Sequence, residues 1–186
     1  FLLRSLPGIK RGLGTIRQDI NVSILGGARI EIKGVQDLKI IPTLVQLEMK
    51  RQEELIKIRN ELEDLKLTKL DLVDLTPSLK NCDSKILQKA WQQKGKILAI
   101  KLKGLQGYLG RKLQPNYRLG SELAERARVK AKVGGIFHSD ELPNYGITKE
   151  YVDQISKQLK CSNKDAFILV ADTEKKAQLA LQAVYE

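Results

Sequence analysis

The chain has 186 residues, 42% hydrophobic and 30% charged, with 33 Lys and Arg against 22 Asp and Glu for a formal net charge of +11. That length can bury one core or two small ones, and the longest apolar run, "AFILVA" over 166–171, excludes a membrane helix, which needs roughly 20 apolar residues. The opening "FLLR" is too short for the apolar core of an export signal, about 7 to 15 residues, and a content of 5% aromatic residues disfavours a stacking platform for single-stranded bases.

Residues 1–15 hold four Gly or Pro residues among scattered charges and read as irregular chain. In "IRQDINVSI" the apolar Ile16, Ile20, Val22 and Ile24 alternate with Arg17, Asp19, Asn21 and Ser23, the pattern of a half-buried strand. "LGG" then permits a turn, and "ARIEIK" alternates again, Ile30 and Ile32 against Arg29, Glu31 and Lys33. The two strands predict a hairpin with one apolar and one ionic face. Pro42 stands at a first helical position, and Leu44, Leu47, Leu55, Ile58, Leu62 and Leu65 recur at helical spacing through a stretch free of Gly and Pro. The helix is expected to end near Lys66, with Glu53 and Lys57 paired across one turn.

The character changes near residue 67. Leu70, Leu72 and Leu75 suggest a strand before Pro77, and Ser84 is placed to cap a helix to about Lys94 with Ile86, Leu87, Ala90 and Trp91 inward, ended by Gly95. "KILAIKL" over 96–102 reads as a strand. A glycine-punctuated loop leads to the helix "SELAERARVKAK", acids early and bases late as the helix dipole favours, stopped by Gly134 and Gly135. A short strand around 135–137 precedes an acidic turn, and Thr148 caps "KEYVDQISKQL". "DAFILVAD" is apolar enough to be buried on both faces. Thr173 caps a last helix with Ala177, Leu179, Ala180, Leu181, Ala183 and Val184 mostly inward. This order, β and α alternating after residue 67, gives an α/β or α+β sandwich of one sheet and several helices.

The positive charge is uneven: residues 1–66 carry 12 basic and 9 acidic side chains, net +3, and residues 67–186 carry 21 and 13, net +8. Such an excess suits a polyanionic partner or a lysine-rich soluble surface. Cys82 and Cys161 stand apart and read as free thiols of a reducing compartment. One histidine and no GxSxG leave no apparatus for nucleophilic attack. The stretch "VGGIFHSDELPNYGIT" gathers His138, Asp140 and Glu141, which could ligate a metal, fix a turn or contact a partner. "GLQGYLG" has the GxxG of a phosphate-backbone clamp, yet its glycines suit loop turns equally. "GIKRGLG" lacks the lysine of a phosphate loop. The ionic hairpin face mixes carboxylates suited to magnesium with cations suited to phosphate, and is either a solvated face or one wall of an active site.

"GLGTIRQDINVSI", "GGARIEIKGVQDLKIIP" and "EMKRQEEL" resemble the catalytic cradle of the B/E subunit family of glutamyl-tRNA amidotransferases, and "RQD" with "EIKGVQ" is similar to its archaeal E branch. "LGRKLQPNYRLGSELAERARVKAKVGGIFHSDELPNYGIT" resembles the GAD domain, an insertion shared with bacterial-type aspartyl-tRNA synthetases.

The resemblance implies an α+β fold: a hairpin and long helix of the cradle over 1–66, then over 67–186 a two-layer GAD domain, its antiparallel sheet covered by helices on one face. It implies a ligase that, with an asparaginase-like D-type partner, converts Glu-tRNA(Gln) to Gln-tRNA(Gln) in the cytoplasm. ATP with magnesium phosphorylates the misacylated glutamate and ammonia from an amide donor displaces the phosphate. Asp19, Asn21, Glu31 and Lys33 are then the candidate pocket wall, and the "HSDE" turn serves backbone geometry. The chain is expected to be a piece centred on the insertion, inactive and without cofactor by itself. A standalone RNA-binding or architectural module of synthetase type is the alternative.

Overall fold

The computed structural model describes residues 2–10, 12, 14–65 and 69–186. They form two compact units, Phe1–Glu63 with Leu113–Pro115, and Asp64–Lys112 with Asn116–Glu186. The expected boundary at residue 67 lies outside the described residues.

In the first unit a short helix α1 (Leu2–Ser5) precedes the ribbon β1 (Gln18–Val22) and β2 (Ile30–Val35), paired antiparallel. Alternation sets the faces as expected up to Lys33: Val22 is buried while Asp19, Asn21, Glu31 and Lys33 are exposed, and Val35, of the same parity as Lys33, is nevertheless buried. A 3-10 turn capped by the Asp37 carboxylate, which accepts the Lys39 N–H at 2.9 Å, leads into α2 (Ile41–Glu61), with Pro42 in its first turn. The helix ends before Lys66: Glu61 is its last residue, and the Leu62 N–H bonds the Ile58 carbonyl. Lys57 pairs with Glu54 at 2.7 Å, three residues away, where the sequence suggested Glu53.

The rest of the chain runs β3 (Val73–Asp74), α3 (Lys85–Gln92), β4 (Lys96–Leu102), β5 (Lys112–Gln114), β6 (Tyr117–Arg118), α4 (Leu119–Ala131), β7 (Phe137–His138), α5 (Lys149–Gln158), β8 (Ala166–Asp172) and α6 (Glu174–Tyr185). The sheet of the second unit has the order β3-β4-β8-β7 with antiparallel neighbours. β5 and β6 form a small ribbon that alternation did not reveal, because each has two or three residues.

The α+β class holds, but the expected helices on one face become helices on both. Leu98, Ile100, Ile168 and Val170 pack with Ala127 of α4 and with Ala177 and Leu181 of α6. Ile97, Ala99, Phe167 and Leu169 pack oppositely, with Leu87 of α3 and Ile155 of α5. The cause is in β4 and β8, which are apolar at consecutive positions, so that covering one face alone would leave a row of side chains in water. Each such side chain contributes about 1.5–3 kcal/mol on burial.

Helix ends also depart from expectation. Ser84, Thr148 and Thr173 occupy the capping positions, yet none makes a side-chain cap bond, and the Ser84 hydroxyl is buried without a partner. Lys94 and Lys132 take the left-handed turn after α3 and α4, at φ 56° and 57°, where Gly95 and the Gly134–Gly135 pair were the expected stops. Gly95 serves packing instead: a Cβ there would lie 2.8 Å from the Asp172 carbonyl. On α3, Ile86 and Trp91, expected inward, are exposed, as is Leu179 of α6.

Candidate functional site

On the β1–β2 ribbon, Gln18 pairs with Val35 and Ile20 with Ile32, so two residues, Lys33 and Gly34, face the single Asp19. This is a β-bulge, the device that re-aims a side chain and tightens local twist. Gly34 adopts φ +72°, a left-handed value that residues with a Cβ resist. Asp19 closes the bulge by accepting the Gly34 N–H on Oδ1 at 2.9 Å. Asn21 stands directly opposite Glu31, and the Lys33 Nζ reaches Glu31 Oε2 at 2.9 Å. The four candidates from the sequence therefore share one exposed face, with Arg17 and Arg29 also exposed.

Behind the ribbon lies a buried polar set that sequence reasoning missed. Arg51 grips Glu48 with two hydrogen bonds, 2.9 and 3.0 Å, and the Gln52 amide donates to Glu48 Oε1 at 2.8 Å and, more weakly, to the Val22 carbonyl at 3.4 Å. Gln52 is 3% exposed, and its Oε1 points at Gly27, where a Cβ would stand only 2.2 Å away. Burial opposes the charge on Glu48, but the bonds from Arg51 and Gln52 outweigh it and hold its carboxyl below the usual carboxylate range. The signal was available: the apolar row of α2 skips from Leu47 to Leu55, one turn occupied by Glu48, Arg51 and Gln52.

In the second unit the acidic turn is a structural knot. Asp140 accepts the N–H groups of Gly107 and Gly110 at 3.1 and 3.0 Å, so the amides of the GxxG loop that a phosphate clamp would need are taken. Glu141 accepts the His138 N–H and the Tyr145 hydroxyl, at 3.3 and 3.4 Å. His138 is buried against Gly120 with Nδ1 unpartnered, and burial lowers its pKa against the opposing pull of Glu141 and Asp140. Among the described residues no three His, Cys, Asp or Glu side chains form a group that could hold a metal. No helix of the described residues is long and apolar enough to cross a membrane.

With the ribbon, the two-faced sheet and the turn in place, residues 87–181 match the model of the GAD domain, and the chain belongs to that family. Its relatives are more particular. It is 50% identical to the E subunit of the glutamyl-tRNA(Gln) amidotransferase of Methanocaldococcus jannaschii, over all of this chain and 30% of that protein. It is 52% identical to the proteins of the same name from Pyrococcus horikoshii and Pyrococcus furiosus, over 98% of this chain and 29% of each. The chain thus spans about three tenths of the length of these curated relatives.

Proposed function

We propose that the chain is part of the ATP-dependent amidotransferase that turns Glu-tRNA(Gln) into Gln-tRNA(Gln) in the cytoplasm, working with an amide-hydrolysing, asparaginase-like D-type partner. The observation that carries this reading is the common exposed face of Asp19, Asn21, Glu31 and Lys33, on a chain half identical to relatives bearing that name. The donor set suits the implied cofactors. Magnesium is commonly held by one or two carboxylates together with substrate phosphates, and Asp19, Glu31 and the Asn21 amide offer hard oxygens beside the Lys33 ammonium. ATP with magnesium, when bound, would supply the phosphoryl group and screen its charge.

The protein residues divide the work by chemistry. Asp19 and Glu31 would hold the metal, Asn21 would accept or donate a hydrogen bond between them, and Lys33, with Arg17 and Arg29 on the same side, would neutralise phosphate oxygens. The bulge fixes where Lys33 starts, and its ion pair with Glu31 keeps both side chains ready until phosphate competes for the ammonium. Electrostatic preorganisation of this kind is the principal means by which phosphoryl transfer is accelerated.

The test is transamidation by the full-length protein assembled with its partner. Asp19→Asn retains an acceptor for the Gly34 N–H while removing the charge, and Lys33→Ala removes the cation. Wild-type conversion of Glu-tRNA(Gln) by both variants would refute the assignment. For the insertion domain, its net +8 supports a contact with tRNA rather than a purely architectural role. Binding of tRNA to this chain that weakens steeply with salt is the expected result, and affinity no greater than that of unrelated proteins equally basic would leave only the architectural role.

A further inference from the structure

The GAD unit carries a groove of about 540 Å³ that the tRNA reading does not use. It is lined by Lys85, Ile86 and Lys89 of α3, by Gly134, Gly135 and Phe137, and by Ala171 of β8 and Tyr145. Ile86 is 53% and Tyr145 50% exposed, so the apolar lining is open to water.

Two further observations point to what fits. Of the 14 glycines, only Gly134 and Gly135 combine a φ outside the left-handed region with open space where a Cβ would stand. Nothing within the chain requires their missing side chains, so what they provide is backbone without side chains along the groove, the Gly134 carbonyl accepting from Arg128 Nη2 at 3.4 Å. Beside them the sheet edge is unfinished: β7 pairs with β8 only at Phe137–Leu169 and His138–Ile168, while β8 continues to Asp172 paired with β4 alone. Charge supplies the rest. Among the described residues neither Lys85 nor Lys89 is paired with an acid, whereas the one carboxylate of the groove, Glu141, already accepts from His138 and Tyr145.

We propose that this groove docks an extended, acidic peptide segment of a partner protein, laid along the side-chain-free Gly134–Gly135 segment. An apolar side chain of the peptide sits between Ile86 and Tyr145, and its carboxylates meet Lys85 and Lys89. Main-chain hydrogen bonds at a sheet edge give affinity, and the apolar seat and the lysines give selectivity. RNA fits less well, because its phosphates would meet Glu141 and a lining that is largely apolar.

The experiment selects random peptides displayed on phage against the whole 186-residue chain, then measures the enriched peptides by fluorescence anisotropy. Two variants serve as controls: Gly135→Val, which has room for its side chain and fills the groove, and the double charge reversal Lys85→Glu with Lys89→Glu. The expected result is enrichment of peptides with acids flanking a bulky apolar residue, binding reduced about tenfold or more by each variant, and unchanged thermal unfolding of Gly135→Val. Failure to enrich such peptides, or equal binding to wild type and both variants, overturns the proposal. So does an oligouridine probe that competes for Lys85 and Lys89 where the peptides do not. If Gly135→Val fails to fold, the charge reversal decides alone.

Discussion

Asn21 and Glu31 face each other across the β1–β2 ladder, and further along the two strands Asp19 and Lys33 flank a bulge that only Gly34 can turn. The ribbon therefore displays a fixed constellation. Gly34→Ala should disturb it without touching any of the four side chains, since a Cβ at φ +72° is strained by roughly 1–2 kcal/mol. We expect a transamidation rate in the full-length protein lowered on the order of tenfold, with Asp19→Asn and Lys33→Ala lowering it on the order of a hundredfold. Initial rates of Gln-tRNA(Gln) formation check the ranking.

The two-faced sheet makes an expectation that a one-faced sheet does not. Ile168 and Leu169 are neighbours on β8 and belong to opposite cores. Ile168→Ala and Leu169→Ala should each cost about 2–5 kcal/mol, measured by urea unfolding of this chain. If one of them were neutral, one face of the sheet would be open.

Gly120 and His138 are a packing pair. A Cβ at Gly120 would stand 2.4 Å from the imidazole Nε2, with the Leu109 carbonyl 3.1 Å away. Gly120→Ala should destabilise by about 1–3 kcal/mol, and the same substitution at Gly134, where nothing lies within 4 Å, should not destabilise. Denaturation midpoints of the two variants separate crowding from any general cost of losing glycine.

Burial lowers the pKa of His138 in the folded chain, outweighing the carboxylates of Glu141 and Asp140. The unfolded chain, with an ordinary histidine near 6.5, then binds more protons than the folded one just below that pH. Stability is therefore full above the unfolded pKa and falls as pH drops through it toward the folded value. His138→Gln should flatten this fall between about pH 6.5 and 5, a window above the carboxylate titrations. Unfolding free energies at several pH values for both proteins are the check.

Both thiols are disfavoured as thiolates: burial pushes Cys161 up to about 11, helped by Asp165, and burial also raises Cys82. Neither should alkylate appreciably with iodoacetamide at pH 8 in the folded chain, while both should react in urea. Intact mass before and after denaturation reads this directly.

Much of the fold was legible because the ribbon alternates up to its bulge, β8 and the middle of β4 are apolar runs, and α2 keeps a helical period on either side of its polar turn. What escaped the sequence lay in terms that a linear pattern does not carry. "DAFILVAD" already declared two buried faces, but a one-sided cover for the sheet came from family resemblance and not from that strand. The bulge hid because the alternation was followed to Lys33 and not across Gly34, although a glycine at the end of such a run is its usual mark. Ile86 and Trp91 have helical spacing suited to burial, yet the neighbours that would cover them come from distant segments. The ionic face was visible from parity alone, whereas Glu48, Arg51 and Gln52 needed the ribbon behind them before a gap in the apolar row acquired meaning.

β8 is the last strand of its unit in chain order, and it lies in the interior of the sheet, bonded to β4 on one side and β7 on the other. On the ribosome, the preceding hundred or so residues cannot settle, because the strand that would satisfy β4 has not been synthesised. During that interval two greasy surfaces and an open ladder are offered to whatever is nearby. The GAD unit must therefore close late and all at once, and its yield in the cell should depend on chaperones that shelter the nascent strand until residue 172 has emerged.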